Sequence, residues 1–171
     1  MPTLKAGTWN RAGFTLVELA LVVLLVSLFS MLTLPTLTGL GQNELSGSAR
    51  RIAGTVKYLF NESALDRLEY RLTYDLDRDT FGAKKLESNG ELVAVTGTGR
   101  QQRLKGGVRF KDVQVTGRGK FSTGEVTTSI HPVGWLDETV VHLENDRGKA
   151  LTLRINPFTG STEVHEGYLE F

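Results

Sequence analysis

A long apolar segment near the N-terminus constrains this chain more than any other feature. Residues 19–34 carry no charge, and the acid Glu18 stands just ahead of them. A helix over residues 14–34 would be about 31 Å long, enough to span the hydrocarbon core of a membrane. The apolar part of a cleavable secretory signal is shorter, about 7–15 residues, and ends in a small-residue cleavage site. The sequence therefore predicts a membrane-spanning helix.

Glu18 is an unusual residue in this position. A carboxylate at the centre of a membrane helix costs roughly 2.5–3.5 kcal/mol, and less near an end, so it usually has a partner. If the chain were cut after Gly13, Phe14 would carry a new α-amine, whose reference pKa of about 7.7–8.0 keeps it largely cationic. Phe14 and Glu18 share one helix face. The amine could then neutralise Glu18 of its own chain or of a packed neighbour. The alternative is a signal-anchor helix with an incidental acid.

The stretch Gly13-Phe14-Thr15-Leu16-Val17-Glu18 resembles the prepilin-peptidase motif of type IV pilins and type II secretion pseudopilins. The resemblance implies cleavage after Gly13, N-methylation of Phe14 and a role of Glu18 in filament assembly. Pro35 falls where many pilins carry a helix-kinking proline. No catalytic residue, cofactor or metal is implied.

The distribution of charge predicts the orientation of the chain. Lys5 and Arg11 precede the apolar segment, and the next bases are Arg50 and Arg51. The positive-inside rule places the N-terminus in the cytoplasm and the bulk of the chain on the other side of the membrane. The resemblance implies that this membrane is the inner membrane and that the bulk of the chain lies in the periplasm. The formal net charge of +1 argues against a nucleic-acid partner, which would call for a basic face. The chain has no cysteine, which excludes disulfides.

The chain is expected to have four parts. The resemblance implies a leader over residues 1–13 and an assembly role for a transmembrane helix over 14–34. Periodicity predicts a kinked continuation of that helix over 35–67 and a β-rich domain over 68–171, which the resemblance places in the periplasm. Pro35, Gly39 and Gly41 weaken the middle of the helix, either as a linker or as a segment that bends on assembly. After it, apolar residues recur at helical spacing and predict a packed stripe. These residues are Leu45, Ala49, Ile52, Val56, Leu59, Phe60 and Ser63.

Beyond Arg67 the period changes to two, which indicates strands. The last third is expected to form one compact antiparallel sheet, and a break in alternation at Lys111-Asp112 suggests a β-bulge. Residues 97–107 are glycine-rich and predict a loop. The fold class is therefore α+β, a long N-terminal helix packed against an antiparallel β-sheet domain. Strands are expected at residues 70–77, 81–87, 92–96, 108–115, 125–130, 139–144, 150–155 and 162–164.

Several stretches of the domain resemble the H-type minor pseudopilins. The resemblance implies a subunit of a periplasmic pseudopilus that helps to export folded proteins, without enzymatic activity. Its partners would be prepilin peptidase, other pseudopilins, an inner-membrane assembly platform and membrane lipid. A minor pilin of a type IV pilus, and a membrane-tethered periplasmic binding domain or enzyme, are the alternatives. The stretches are Ala49-Arg50-Arg51-Ile52-Ala53, residues 70–76, Phe121-Ser122-Thr123-Gly124, residues 140–143, residues 151–156 and Thr159-Gly160.

Other candidate residues favour structural roles. Asp75, Asp77 and Asp79 imitate the start of a calcium loop, but Thr80 stands where its glycine belongs, and a strand followed by a turn explains the same acids without a metal. The histidines, including His142, lack zinc-ligand spacing. Trp135 is predicted to lie in a turn, near Pro132 and Gly134, and is expected to cap the core rather than to lie exposed.

Overall fold

The computed structural model describes the backbone of residues 15–171 and the side chains of residues 15–29 and 44–171. The chain divides into two compact units, residues 1–39 and 40–171. Helix α1 runs from Leu16 to Asp66. The predicted leader, residues 1–13, and Phe14 lie outside the described residues.

Helix α1 ends where Arg67 adopts a positive φ of 57°. A residue in this left-handed conformation is a common helix terminator. The Ser63 hydroxyl donates to the Leu68 carbonyl at 2.7 Å, and Tyr70 Oη donates to Asp66 Oδ2 at 2.5 Å. Burial, followed by the hydrogen bond to Asp66, raises the pKa of Tyr70. These contacts attach the first strand to the end of the helix.

The second half of α1 carries the predicted apolar stripe. Its side chains enter one hydrophobic core together with residues from both sheets, so the α+β class is confirmed. The stripe residues Leu45, Ala49, Ile52, Val56, Leu59 and Ser63 are buried, while Phe60 is half-buried.

The strands form two antiparallel sheets. The strands are β1 Glu69–Asp75, β2 Thr80–Leu86, β3 Leu92–Ala94, β4 Gln102–Arg103, β5 Val108–Val115, β6 Gly119–Phe121, β7 Glu125–His131, β8 Trp135–Leu136, β9 Thr139–Asn145, β10 Ala150–Ile155 and β11 Thr162–Glu166. Sheet A has the order β3-β2-β1-β7-β8, with β4 paired to β2, and sheet B has the order β11-β10-β9-β5-β6.

The expectation that the last third forms one sheet is wrong. Strand β7 pairs with β1 in sheet A, whereas β9, β10 and β11 belong to sheet B. The chain crosses between the sheets after β8, where the Leu136 amide donates to the Pro157 carbonyl at 2.8 Å. Turn residues mark the strand ends in the sequence, but pairing between distant strands leaves no such local mark.

The bulge predicted in β5 is confirmed. The register between β5 and β9 shifts between Phe110 and Asp112, so one extra residue is accommodated there. As a result Phe110 and Val113 both point into the core, while Asp112 lies on the opposite face of sheet B.

Two local predictions need correction. Residues 97–107 are not only loop, since they contain a 3₁₀ turn at Gly97–Gly99 and strand β4. Trp135 is not a core residue: it is 42% exposed, and its ring stacks on His131 with centroids 3.9 Å apart. A strand as short as β8 lacks the length over which alternation could be recognised.

Gly160 marks a close approach between a turn and helix α1. Its φ is +63°, and a Cβ there would lie 2.7 Å from Cβ and Cγ of Phe60. Gly148 has a similar φ of +73°, but a Cβ there would meet no atom within 4 Å. Substitutions at these two glycines therefore distinguish the cost of backbone strain, which both share, from the cost of steric overlap with Phe60, which only Gly160 has.

We predict that Gly160→Ala destabilises the domain more than Gly148→Ala. Both variants carry left-handed strain of about 1–2 kcal/mol, and only Gly160→Ala adds overpacking of about 1–3 kcal/mol. Urea unfolding of the full chain in detergent, followed by circular dichroism, measures the difference. Equal losses would show that the turn does not press on Phe60.

Candidate functional site

The start of helix α1 is built as a capping box. The Glu18 amide donates to Thr15 Oγ1 at 3.2 Å. In return the Glu18 carboxylate accepts from the Thr15 amide and the Thr15 hydroxyl, each at 3.4 Å. Such reciprocal contacts satisfy amides that have no partner within the helix. A carboxylate in the first turn also interacts favourably with the helix dipole.

The capping box was overlooked in the sequence, although its signal is present. Thr15-Leu16-Val17-Glu18 has the spacing of a threonine followed three residues later by a glutamate. The structure thus gives Glu18 a partner within its own chain, Thr15. The predicted pairing of Glu18 with the Phe14 amine stays a prediction, because Phe14 is outside the described residues.

The helix surface next to Glu18 is apolar and uncovered. All described side chains from Thr15 to Phe29 are exposed, with Leu16 at 85% and Phe29 at 66%. Glu18 is the single charged residue of this stretch. Apolar surface of this extent is typical of a segment that meets lipid or a protein partner. Within the described part of the chain, no helix has both the length and the apolar character that a membrane span requires.

The other processing and assembly residues are only partly visible. Gly13 and Phe14 lie in the part of the chain that is not described. Pro35 lies within α1, and its side chain is outside the described part of the chain. The kink at Pro35 stays a prediction.

The three acids of the calcium-like stretch bind different protein donors. Asp75 accepts from the amide and guanidinium of Arg78, at 3.0 and 3.3 Å. Asp77 accepts from the Gly124 amide at 3.1 Å, and Asp79 from the Phe110 amide at 3.0 Å. They fasten the β1–β2 turn to two other segments. Among the described residues, no cluster of acids and histidines has the geometry of a metal site.

His142 is fully buried in β9 and has two polar partners. Its Nδ1 lies 2.6 Å from Asp112 Oδ1, and its Nε2 lies 2.8 Å from the Leu169 carbonyl oxygen. The Tyr168 ring stacks on the imidazole with centroids 4.0 Å apart. The sequence placed His142 on a strand among core residues, but it gave no sign that the C-terminal residues would cover it.

Known proteins share both sequence and fold with this chain. The chain is 39% identical over 70 residues to type II secretion system protein H of Pseudomonas aeruginosa. The match spans 40% of this chain and 40% of the length of that relative. No protein-family model matches the chain.

Two solved structures of the minor pseudopilin EpsH from the type II secretion system of Vibrio cholerae have a similar fold. One superposes with a TM-score of 0.60 over 75% of this chain and 98% of the other, at 14% identity. The second superposes with a TM-score of 0.58 over 72% of this chain and 97% of the other, at 13% identity.

The sequence match and the shared fold agree with each other. The sequence match is local and relatively high in identity, whereas the structural match covers most of the chain at low identity. The resemblance to the H-type minor pseudopilins of type II secretion, predicted from the N-terminal motif and from the domain, is confirmed.

Proposed function

We propose that this chain is a minor pseudopilin of the H type in a type II secretion system. The observation that carries the proposal is the sequence match to type II secretion system protein H, together with the EpsH-like fold of the domain. The proposed function is structural rather than enzymatic. The subunit would assemble with other pseudopilins into a periplasmic pseudopilus that helps to export folded proteins across the outer membrane.

The exposed apolar helix supports the assembly step of this proposal. Its surface from Leu16 to Phe29 needs lipid before assembly and neighbouring helices afterwards. The inner membrane would hold the subunit with its N-terminus in the cytoplasm, where prepilin peptidase cuts after Gly13 and methylates Phe14. The inner-membrane assembly platform would then transfer the subunit into the filament.

Glu18 would have a different partner at each stage. Before assembly, Thr15 provides the hydrogen bonds that the structure shows. During assembly, the Phe14 amine of the same or a neighbouring subunit would neutralise the carboxylate. An unpaired charge in apolar surroundings is strongly unfavourable, so the pairing would fix the register between helices.

Processing is tested by the intact mass of the chain extracted from membranes. We expect a species that begins at N-methylated Phe14, and an unprocessed species in the Gly13→Leu variant. A chain that keeps Met1 and still supports normal secretion would contradict processing and favour a simple membrane tether. A processed chain whose deletion leaves secretion intact but abolishes pili would favour a type IV pilus.

The charge of Glu18 is tested by comparing Glu18→Ala with Glu18→Gln. Glutamine also occurs at the last position of capping boxes, so Glu18→Gln can keep these hydrogen bonds. It has no charge, however, to pair with the amine. We expect cleavage in both variants and a loss of roughly tenfold or more in filament incorporation in both, since each lacks the pairing charge. The measurement is cross-linking to neighbouring subunits, with secretion assayed in parallel. Normal assembly of Glu18→Gln would refute the pairing and leave only the cap.

The capping box is tested separately at Thr15. Thr15→Val removes the oxygen that accepts from the Glu18 amide, whereas Thr15→Ser keeps it. Loss of an N-cap costs about 1 kcal/mol, so the Glu18 amide of Thr15→Val should exchange with solvent roughly fivefold faster. Hydrogen exchange in micelles measures this. If the serine and valine variants exchange equally fast, Thr15 does not cap the helix.

A further inference from the structure

A groove runs between the second half of helix α1 and the segment that joins β3 to β4. Its volume is about 550 Å³, and it lies within the compact unit of residues 40–171. Arg50 and Arg51 of α1 line one wall, and Arg100, just beyond the 3₁₀ turn, lines the other. We call this feature the arginine groove. Its remaining lining residues are Gly54, Thr55, Gly97, Thr98 and Gln102.

The arginine groove is held in shape by hydrogen bonds within the chain. The Thr55 hydroxyl of α1 donates to the Thr98 carbonyl oxygen at 3.4 Å, and Gln102 Nε2 donates to the same oxygen at 3.2 Å. Thr55 is almost fully buried, with an exposure of 1%. These contacts fix the 3₁₀ turn against the helix. The two walls are therefore in place before a ligand arrives, which lowers the entropic cost of binding.

The three arginines of the groove have no acid to pair with. No acid lines the groove, and every acid of the chain lies in the part whose side chains the structure describes. Among these described side chains, none of the ion pairs involves Arg50, Arg51 or Arg100. Arg51 donates to the neutral Ser48 hydroxyl at 3.1 Å, and the other two arginines are exposed. The groove thus presents positive charge that the domain itself does not neutralise.

The sequence concentrates positive charge on both walls of the groove. Residues 45–61 of the helix and residues 92–111 together carry eight bases and no acid. The whole chain has 20 bases and 19 acids, so the remaining residues carry 12 bases against 19 acids. The near-neutral net charge is therefore the sum of a basic region and an otherwise acidic chain. A basic region of this kind attracts anions and raises their rate of association.

The side chains and the shape of the groove suit a carboxylate or a phosphate. A guanidinium is planar, and its fork of N–H donors matches two oxygens of either group. Gly54 is exposed, and a Cβ added there would meet no atom within 4 Å. Packing within the chain therefore does not require glycine at this position. The missing side chain leaves the helix wall open to the close approach of a ligand backbone.

The distribution of charge favours a short ligand over an extended polyanion. Acids stand at the ends of both basic segments, namely Glu44 and Glu62, and Glu91 and Asp112. A nucleic acid or an anionic lipid surface carries charge over a long distance, so it would also meet acids beyond the groove, and like charges repel. A short peptide can place a few carboxylates on the arginines alone, and its other residues can be neutral.

We propose that the arginine groove binds a short acidic segment of a partner protein. Carboxylates of this segment pair with Arg50 and Arg100, and Arg51, which Ser48 already holds, completes the site. The site goes beyond the function proposed above, because recognition of an acidic segment does not depend on which filament the chain enters.

The test uses the full chain in micelles of an uncharged detergent, with fluorescein-labelled hexaglutamate as the probe. Fluorescence anisotropy measures the binding of the peptide at low ionic strength. We expect saturable binding that weakens as sodium chloride is added, because salt screens exposed charges. Absence of binding, or binding that does not respond to salt, would overturn the proposal.

Two double variants with the same change in net charge locate the binding. Arg50→Gln/Arg100→Gln removes the two exposed arginines of the groove. We expect hexaglutamate to bind it roughly tenfold more weakly, since an exposed ion pair contributes at most about fivefold. Arg109→Gln/Arg118→Gln removes two exposed arginines outside the groove and should bind within about twofold of wild type. Equal losses in the two variants would reveal non-specific attraction and overturn the proposal.

Probes that carry phosphate distinguish an acidic protein segment from other anions. We expect fluorescein-labelled hexathymidylate to bind more weakly than hexaglutamate, and millimolar inorganic phosphate not to displace the peptide. Tighter binding of hexathymidylate that is lost in Arg50→Gln/Arg100→Gln would assign the groove to a nucleic acid. Displacement by inorganic phosphate would assign it to a phosphate group, free or in a lipid headgroup. Either result would overturn the proposal.

A second measurement places the peptide on the wild-type chain without any variant. In the ¹⁵N-labelled full chain, hexaglutamate should shift the amide signals of Gly54, Gly97 and Thr98, which line the groove. The signal of Gly134, a turn residue outside the groove, should stay in place. Shifts confined to residues outside the groove would contradict the assignment.

Discussion

Burial of the apolar stripe on the second half of helix α1 is the contact on which the rest of the structure depends. Ile52, Val56 and Leu59 are fully buried in a core to which both sheets contribute. Each fully buried aliphatic side chain contributes roughly 1.5–3 kcal/mol, so the second half of α1 is a structural part of the domain. The exposed apolar segment from Leu16 to Phe29 belongs to the first half of α1.

Local patterns predicted the elements well, and long-range pairing much less well. The stripe from Leu45 to Ser63, strand β10 and the bulge at Lys111 could be identified because each leaves a periodic signature within a few residues. The division into two sheets could not, because the pairing of β7 with β1 depends on packing between distant segments. The contact between the C-terminal residues and His142 was missed for the same reason, because nothing near Leu169 indicates that its carbonyl oxygen meets the imidazole.

The N-terminal site shows how one residue can satisfy two requirements. The sequence singled out Glu18 because an isolated carboxylate in an apolar segment needs a partner. The structure adds that Thr15 already supplies hydrogen bonds, although these leave its charge uncompensated. A carboxylate capped in this way is tolerable at the end of a helix and still attracts a cation, as the proposed pairing with the Phe14 amine requires.

The bulge in β5 has a consequence for how the gene can change. Before it, even-numbered residues such as Phe110 face the core, and after it odd-numbered residues such as Val113 do. A substitution at Lys111 alters one side chain, but a deletion there would remove the change of parity and turn one half of the strand inside out. Insertions and deletions at this position should therefore be selected against, even though Lys111 itself is exposed. The pairing of Asp112 with His142 depends on the same register, so it should be kept for the same reason.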